Sequence, residues 1–192
     1  MHPKLLLASN SPRRRELLLE AKFEFEIFAP EVDERFDVDL TLRELTAFNA
    51  IRKAMTASRL RPKNVVLAAD TLVSIDDNVL GKPKDKNEAV AMLERLSGRV
   101  HDVCTSVFIC ELASAKSTSF HEVSRVRFRR LSRNKIDNYI ERVNPLDKAG
   151  AYAAQGFGSK IIEKINGSYT NVVGLPMEET IAALRKFGIK PL

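Results

Sequence analysis

Hydrophobic and polar positions alternate along the chain in patterns that predict both strands and helices. Patterns typical of strands occupy 4–8, 23–30, 64–76, 100–112 and 118–131. The segment 64–76 is almost continuously apolar, as expected of a central strand that is covered on both faces. The dipeptide Asn166-Gly167 separates KIIEKI from SYTNVVG and predicts a tight turn in a hairpin.

Helical periodicity and capping signals predict helices at 12–21, 41–58, 86–97, 133–143 and 177–187. Ser11 lies at the N-cap position of the first helix and Pro12 at its first helical position. The second helix has one apolar stripe at helical spacing. This stripe comprises Leu45, Phe48, Ile51 and Met55.

The order of these elements predicts an α/β fold in a single domain, residues 1–192. Strands and helices alternate, but the hairpins require antiparallel neighbours, so we expect a mixed twisted sheet flanked by helices. The segment 146–160 is repeatedly interrupted by small residues and is expected to be a shaped loop. The sequence contains neither an internal repeat nor an interdomain linker.

The composition is that of an ordinary globular protein, with 44% hydrophobic and 29% charged residues. No apolar run approaches the roughly 18 residues of a membrane span, and the N-terminal apolar stretch is a poor signal peptide, so we expect a cytoplasmic protein. The net charge of +6 favours a polyanionic partner, nucleotide or nucleic acid. Cys104 and Cys110 lie about 20 Å apart along one predicted strand, which excludes a disulfide while that strand is unbroken.

The segment LASNSPRRRELL, residues 6–17, places three consecutive arginines in the first turn of a helix. A helix N-terminus already carries partial positive charge, so cations there are unfavourable. Two interpretations are open, a solvated basic helix end or an anion site. In an anion site, Ser9 and Ser11 bind phosphate together with the helix N–H groups. Arg13 or Arg14 then adds a bidentate contact.

A second anomaly is Asp70, a carboxylate within the apolar run VVLAADTLVSI. An unpaired buried carboxylate is strongly destabilising, so Asp70 needs a partner. It caps a helix or pairs with a lysine, or else it binds a metal or activates water at a strand end. The acidic segment PEVDERFD, 30–37, is either a solvated loop or a source of magnesium ligands. Its carboxylates are Glu31, Asp33, Glu34 and Asp37.

Several lysines and arginines are further candidates for contact with phosphate. Lys82 lies in a loop that the following proline fixes, and Lys53 and Lys148 are weaker candidates, because a surface lysine is the default interpretation. One face of the strand at 118–131 is basic, through Arg125, Arg127 and Arg129, with Arg130 beside them. That face lacks the stacking aromatic residues of RNA-binding sheets, so we interpret it as solvated and expect no nucleic-acid partner.

Eight segments in order along the chain carry a family resemblance. They are LASNSPRRRELL (6–17), EVDER (31–35), AIRKA (50–54), AADTLV (68–73), GKPKD (81–85), MLERLSGRVHDV (92–103), DKAGAYAAQG (147–156) and INGSYTNVVGLP (165–176). Together they resemble the Maf family of nucleoside triphosphate pyrophosphatases, over essentially the whole chain. One departure lies in the second helix, where relatives often read RLAxxKA and this chain reads TAFNAIRKA. Lys53 is retained there, but the preceding arginine and leucine are not.

The resemblance implies a fold like that of the inosine triphosphate pyrophosphatases, with two lobes around a cleft. It also implies hydrolysis of a nucleoside triphosphate to its monophosphate and pyrophosphate with a divalent metal. Asp70 matches the general base of the family, and Arg13, Thr71 and Gln155 match residues linked to substrate choice. SPRR with AGAYxxQG is similar to the branch that acts on dTTP and UTP. Relatives are often dimers, so a homodimer is an alternative to a monomer.

These observations combine into one predicted active site. The predicted phosphate contacts are Ser9, Arg13, Arg14, Lys53 and Lys82. A divalent metal, magnesium with manganese or cobalt as alternatives, is expected to join the phosphates to Glu34 and Asp70. Asp70, or a carboxylate beside it, is expected to deprotonate the attacking water, and the Gln155 amide matches the O4/N3 edge of thymine and uracil. The competing hypothesis is a nucleotide-binding regulator of cell division and septum formation, which does not need Asp70.

Overall fold

A computed structural model describes residues 4–36 and 40–192. Asp37, one of the predicted acidic residues, lies outside these ranges. The strands are β1 (Leu5–Leu7), β2 (Glu26–Ile27), β3 (Val65–Ile75), β4 (Asn78–Leu80), β5 (Val100–Glu111), β6 (Lys116–Phe128) and β7 (Ile162–Asn166). The α-helices are α1 (Pro12–Glu20), α2 (Leu42–Leu60), α3 (Lys86–Leu96), α4 (Arg133–Arg142), α5 (Gly158–Ile161), α6 (Tyr169–Val173) and α7 (Met177–Lys186). Short 3-10 helices span Leu112–Ser114 and Ala149–Ala151.

The strands form one mixed sheet with the order β2-β1-β3-β5-β6-β7, and β4 pairs with β3. β1 is parallel to both β2 and β3, with Leu7 opposite Leu67. The pairs β3–β4 and β6–β7 are antiparallel. The predicted α/β class and mixed sheet flanked by helices are therefore confirmed.

Two compact units, each assembled from separate stretches, make up the chain. Unit 1 comprises Met1–Asp70, Thr105–Glu122 and Gly174–Leu192. Unit 2 comprises Thr71–Cys104 and Val123–Val173. The single domain expected over residues 1–192 stays a prediction. Among the described residues, no helix is both long enough and apolar enough to cross a membrane.

The buried face of α2 differs from the predicted apolar stripe. Leu45 is buried as expected, but Phe48 and Ile51 are 40% and 38% exposed. Ala54 and Ala57 instead face the core of unit 1, where they pack with residues of β1, β3 and β5. Alanine has no side chain beyond Cβ, so it lets the helix lie close to the sheet. Met55 also packs against this core, and Phe48 and Ile51 turn outward.

The hairpin predicted around Asn166-Gly167 is wrong in its second half. β7 pairs with β6 as an antiparallel strand, but the segment after the turn forms α6. The buried Asn171 amide donates to Val103 O at 3.1 Å and to Ser124 Oγ at 2.9 Å. Ser168 Oγ accepts from the Asn171 N–H at 3.1 Å, as a helix cap does. Val103 and Ser124 are distant in sequence from Asn171, so the turn signal alone could not reveal the helix.

The core of unit 2 contains an aromatic cluster around a buried histidine. His101 packs edge-on against Phe128 and Tyr152, with ring centroids 4.9 and 5.4 Å away. His101 Nε2 and the Tyr152 hydroxyl form a hydrogen bond of 2.8 Å. Burial lowers the pKa of His101 from 6.5 to about 4 and raises the pKa of Tyr152. His101 is therefore neutral at pH 7.

We expect stability to decrease as the pH falls from 6.5 to 4, because the unfolded chain then protonates His101 and the folded chain does not. The loss reaches about 3 kcal/mol at pH 4. Urea unfolding at several pH values checks it, with His101→Gln expected to show a flatter profile. His121→Gln is the control, since His121 is exposed. Identical profiles for wild type and His101→Gln would contradict the assignment.

Both cysteines are free, as the spacing along one strand predicted, and both are buried. Cys110 Sγ lies 2.9 Å from the Ser58 hydroxyl, where α2 meets β5 in unit 1. Burial raises the pKa of the Cys110 thiol, and the Ser58 hydrogen bond opposes that effect. This thiol is therefore protonated at neutral pH and has a packing role.

Candidate active site

The carboxyl ends of three parallel strands bring the polar groups of unit 1 together. Ser9 and the N-terminus of α1 follow β1, and the acidic segment around Glu34 follows β2. Asp70 lies on β3 three residues beyond Leu67, which pairs with Leu7. Open α/β sheets bind ligands at this edge, because the loops of neighbouring parallel strands converge there.

A lysine ammonium joins the two central carboxylates. Lys53 Nζ donates to Glu34 Oε1 at 2.8 Å and to Asp70 Oδ1 at 2.6 Å. The side chains of Lys53, Glu34 and Asp70 are only 14%, 22% and 5% exposed. Because the three groups are shielded from water, their electrostatic attraction is stronger, and removal of any one of them would leave an uncompensated charge. Asp70 therefore has the lysine partner that the sequence analysis left open.

The acidic segment is attached to α2 through its backbone. Asn49 Oδ1 accepts from the Arg35 N–H at 3.0 Å, and Asn49 Nδ2 donates to the Arg35 carbonyl at 3.1 Å. Asn49 Nδ2 also lies 3.4 Å from Asp70 Oδ2. Arg52 Nη1 donates to the Asp33 carbonyl at 2.6 Å. The residues on both sides of Glu34 are thus held by the helix that presents Lys53.

The three arginines of α1 have different environments. Arg14 is buried, and its Nε donates to the Gly174 carbonyl at 2.8 Å while Nη1 donates to Ser9 Oγ at 3.0 Å. Desolvation lowers the pKa of Arg14, although the charges of Asp70 and Glu34 raise it. The charge of Arg13, which is half-buried, also lowers that pKa.

Arg15 is exposed, whereas Arg14 is close enough to Asp70 and Glu34 for their charges to affect its pKa. The positive charge of Arg14 is therefore opposed by the buried Asp70 and the half-buried Glu34. Arg15 is thus solvated and Arg14 is directed into a polar site, and the anion site stays a prediction.

The other predicted site residues belong to unit 2. Thr71 directly follows Asp70 on β3. Thr71 and Gln155 are half-buried, and Lys82 is exposed. The loop of Lys82 is joined to the loop that leads to Gln155, because the Gly150 N–H donates to the Gly81 carbonyl at 3.0 Å.

Gly150 fits this junction because of its backbone and its small size. Its φ is +67°, and an added Cβ would lie 3.1 Å from Val73 Cγ2. The neighbouring Lys148, a weaker candidate for phosphate contact, donates to Asn144 O at 2.6 Å and to Asp147 Oδ1 at 2.5 Å.

Glu34 and Asp70 offer the ligand type that a hard divalent cation requires. Their carboxylate oxygens converge on one point, the Lys53 ammonium, and carboxylate oxygen is the protein ligand that magnesium prefers. Within the described ranges, no group of three or more His, Cys, Asp and Glu side chains is placed to hold a metal. A cation bound there would take its remaining ligands from water and substrate phosphate, as magnesium usually does.

Asn49 and the Gly174 carbonyl were missed by sequence reasoning. Asn49 precedes Lys53 by four residues, so both lie on one face of α2, and this spacing is the signal that could have identified Asn49. A backbone carbonyl such as that of Gly174 has no side-chain signal at all.

The fold and this site define an α/β protein with a buried cluster of acids and bases at the ends of parallel strands. A model of the family described as Maf-like protein matches residues 4–187. The chain belongs to this family. The resemblance inferred from the sequence is thereby confirmed.

Relatives share the full length of the chain. It is 46% identical over 188 residues to a dTTP/UTP pyrophosphatase of Bacillus pumilus, covering 98% of both chains. It is also 46% identical over 185 residues to a dTTP/UTP pyrophosphatase of Symbiobacterium thermophilum, covering 96% of this chain and 94% of that protein. The solved structure of a HAM1 protein from Coxiella burnetii is similar over 67% of this chain and 74% of that chain, with 21% identity and a TM-score of 0.49.

Proposed function

We propose that this protein is a nucleoside triphosphate pyrophosphatase that hydrolyses dTTP and UTP to the monophosphate and pyrophosphate. Relatives bearing the name dTTP/UTP pyrophosphatase share 46% of their residues with it across nearly the whole chain. The observation that carries the proposal is the buried Asp70 carboxylate, held with Glu34 around Lys53 beside Arg14. Such a cluster combines a carboxylate that can accept a proton with positively charged side chains that can bind phosphate oxygens.

Asp70 is the proposed general base. A carboxylate here, beyond the part of β3 that pairs with β1, orients a water molecule towards the α-phosphorus and accepts its proton as the P–O bond forms, and pyrophosphate leaves. The hydrogen bonds from Lys53 and Asn49 fix both of its oxygens, so the base is positioned before substrate binds.

The proposed phosphate contacts are Ser9, Arg13, Arg14, Lys53 and Lys82. Arg14 is anchored by Gly174 and Ser9, which holds its guanidinium in one orientation. Lys53 already lies against the proposed base, so the same ammonium can neutralise charge that develops on the α-phosphate.

Glu34 and Asp70 are the residues that would hold a divalent cation, magnesium with manganese or cobalt as alternatives. The cation would supply neutralisation of phosphate charge when bound. The nucleotide is the proposed partner, and a cytoplasmic location, a possible homodimer and the absence of a nucleic-acid partner stay predictions.

Arg13, Thr71 and Gln155 are the proposed determinants of base choice. The Gln155 amide offers one donor and one acceptor, which match the O4/N3 edge of thymine and uracil. We expect Gln155→Ala to lower kcat/KM for dTTP and UTP by about tenfold to a hundredfold, because a base-specific hydrogen bond is lost.

Initial rates at low substrate concentration measure this loss. Ser159→Ala is the control, since Ser159 is exposed in the same stretch and its hydroxyl donates to the Gly156 carbonyl at 3.3 Å. An unchanged preference of Gln155→Ala for dTTP over CTP would show that base choice lies elsewhere.

Pyrophosphate release from dTTP, UTP, CTP, 7-methyl-GTP and ITP with magnesium tests the function itself. Turnover restricted to dTTP and UTP supports both the reaction and the base preference. Turnover of another base keeps the reaction and rejects the proposed roles of Arg13, Thr71 and Gln155. Nucleotide binding without any turnover would instead favour the regulator of cell division.

A further inference from the structure

We infer that Asn49 is a positioning residue, which fixes the backbone at Arg35 and so holds Glu34 against Lys53 and Asp70. The inference rests on the proposed function, because it assigns Asn49 a part in placing the groups of that site. All residues concerned belong to unit 1.

The Asn49 carboxamide contacts both backbone groups of one residue. Its Oδ1 accepts from the Arg35 N–H at 3.0 Å, and its Nδ2 donates to the Arg35 carbonyl at 3.1 Å. Two hydrogen bonds to one peptide residue fix its position and also its orientation, much as a neighbouring strand does. Since Glu34 is covalently bonded to Arg35, its main chain is fixed as well.

The second Nδ2 donor points towards the proposed base. Asn49 Nδ2 lies 3.4 Å from Asp70 Oδ2, while Asp70 Oδ1 accepts from Lys53 at 2.6 Å. One side chain thereby connects the acidic segment to the carboxylate on β3. Asn49 is only 1% exposed, so water does not compete for these contacts.

The acidic segment depends on such contacts because the described residues from Phe28 to Phe36 form neither helix nor strand. Without a clamp, the several backbone conformations open to this segment would each place the Glu34 carboxylate differently. Arg52 holds the Asp33 carbonyl on the other side of Glu34, so Asn49 and Arg52, about one turn apart on α2, hold the residues that flank Glu34.

Replacing Asn49 by leucine would remove the clamp. A leucine side chain can neither donate nor accept, so it cannot make any of the three contacts. Leucine is branched at Cγ, as asparagine is, so Asn49→Leu removes the hydrogen bonds and keeps the branched shape, although the leucine side chain is larger.

We expect Asn49→Leu to lower kcat for dTTP by about tenfold to a hundredfold, because Glu34 and Asp70 are then held less precisely. KM is expected to stay within about twofold of the wild-type value. We also expect hydrogen exchange at the Arg35 amide to accelerate by about tenfold, because its acceptor is lost. Thr46→Val is the matched control. Thr46 is buried on the same helix, and its hydroxyl contacts Ser106 Oγ at 2.7 Å. Asn49→Ser is a second variant, which is too short to bridge both Arg35 groups.

Four outcomes distinguish the possibilities. Slower turnover with faster Arg35 exchange in Asn49→Leu and Asn49→Ser, but not in Thr46→Val, supports the inference. Faster exchange with unchanged kcat, or a raised KM with unchanged kcat, overturns the positioning role. Unchanged exchange overturns the clamp itself. If the wild type releases no pyrophosphate, the proposed function fails, and Arg35 exchange still decides whether the clamp exists.

Discussion

Asp70→Asn is expected to abolish pyrophosphate release from dTTP and UTP while the protein stays folded and binds nucleotide. Asparagine has nearly the same shape and can still accept the hydrogen bond from Lys53, but it cannot take a proton from water at neutral pH. Loss of a general base lowers turnover by about 10² to 10⁴-fold, and the lost charge acts in the same direction. A fall in kcat of about 10³-fold is therefore the expected result.

Single-turnover pyrophosphate release and competition binding of a non-hydrolysable dTTP analogue measure the two effects separately. Asp77→Asn is the control, because Asp77 is exposed in the β3–β4 turn, where its φ of +58° suits asparagine. If Asp70→Asn kept a tenth or more of the wild-type turnover, the proton acceptor would be another group. Loss of binding along with turnover would show that Asp70 holds the nucleotide rather than activating water.

Lys53→Met is expected to remove both activity and a large part of the stability. The substitution leaves Glu34 and Asp70 as neighbouring carboxylates without their common cation. Breaking a buried ion pair by removing one partner costs about 3 kcal/mol, because the remaining charge is uncompensated. We expect kcat/KM to fall by about 10²-fold or more, since a charged contact to the reacting phosphate is lost as well.

The effect of magnesium on the stability of Lys53→Met tests the proposed cation ligands. If Glu34 and Asp70 hold a cation, magnesium should raise the melting temperature of Lys53→Met more than that of the wild type, because it replaces the missing positive charge. Thermal unfolding in EDTA and in magnesium measures the difference.

Lys4→Met is the control for Lys53→Met, since Lys4 pairs with Glu26 at an exposed site and an exposed pair contributes about 0–1 kcal/mol. Equal responses of Lys53→Met and wild type to magnesium would reject the proposed cation ligands.

Much of the fold could be predicted from local patterns. Pro12 and Ser11 mark the start of α1, and the apolar run at 64–76 became β3, with Asp70 only 3% exposed as that run implied. Burial of a carboxylate also implied a partner, and a lysine was one of the stated alternatives. These inferences succeeded because periodicity, capping and the cost of a buried charge depend on neighbouring residues.

The failures involve contacts between residues far apart in sequence. The inward face of α2 is set by how closely that helix packs on β1 and β3, which no helical periodicity records. The helix at Tyr169–Val173 depends on Asn171, whose partners Val103 and Ser124 lie on other strands. Asn49 does not interrupt an apolar run as Asp70 does, and an asparagine on a helix is common. Its partner Arg35 belongs to an irregular segment, which has no periodic pattern.

The continuity of β3 has a consequence for how this gene can change in length. β3 runs from Val65 to Ile75 without interruption, and consecutive side chains of a strand point to opposite faces. One residue inserted before Asp70 would reverse the faces of Asp70 and Thr71 together. We therefore expect insertions and deletions to be tolerated in exposed connections such as Leu112–Ser114 rather than in this stretch.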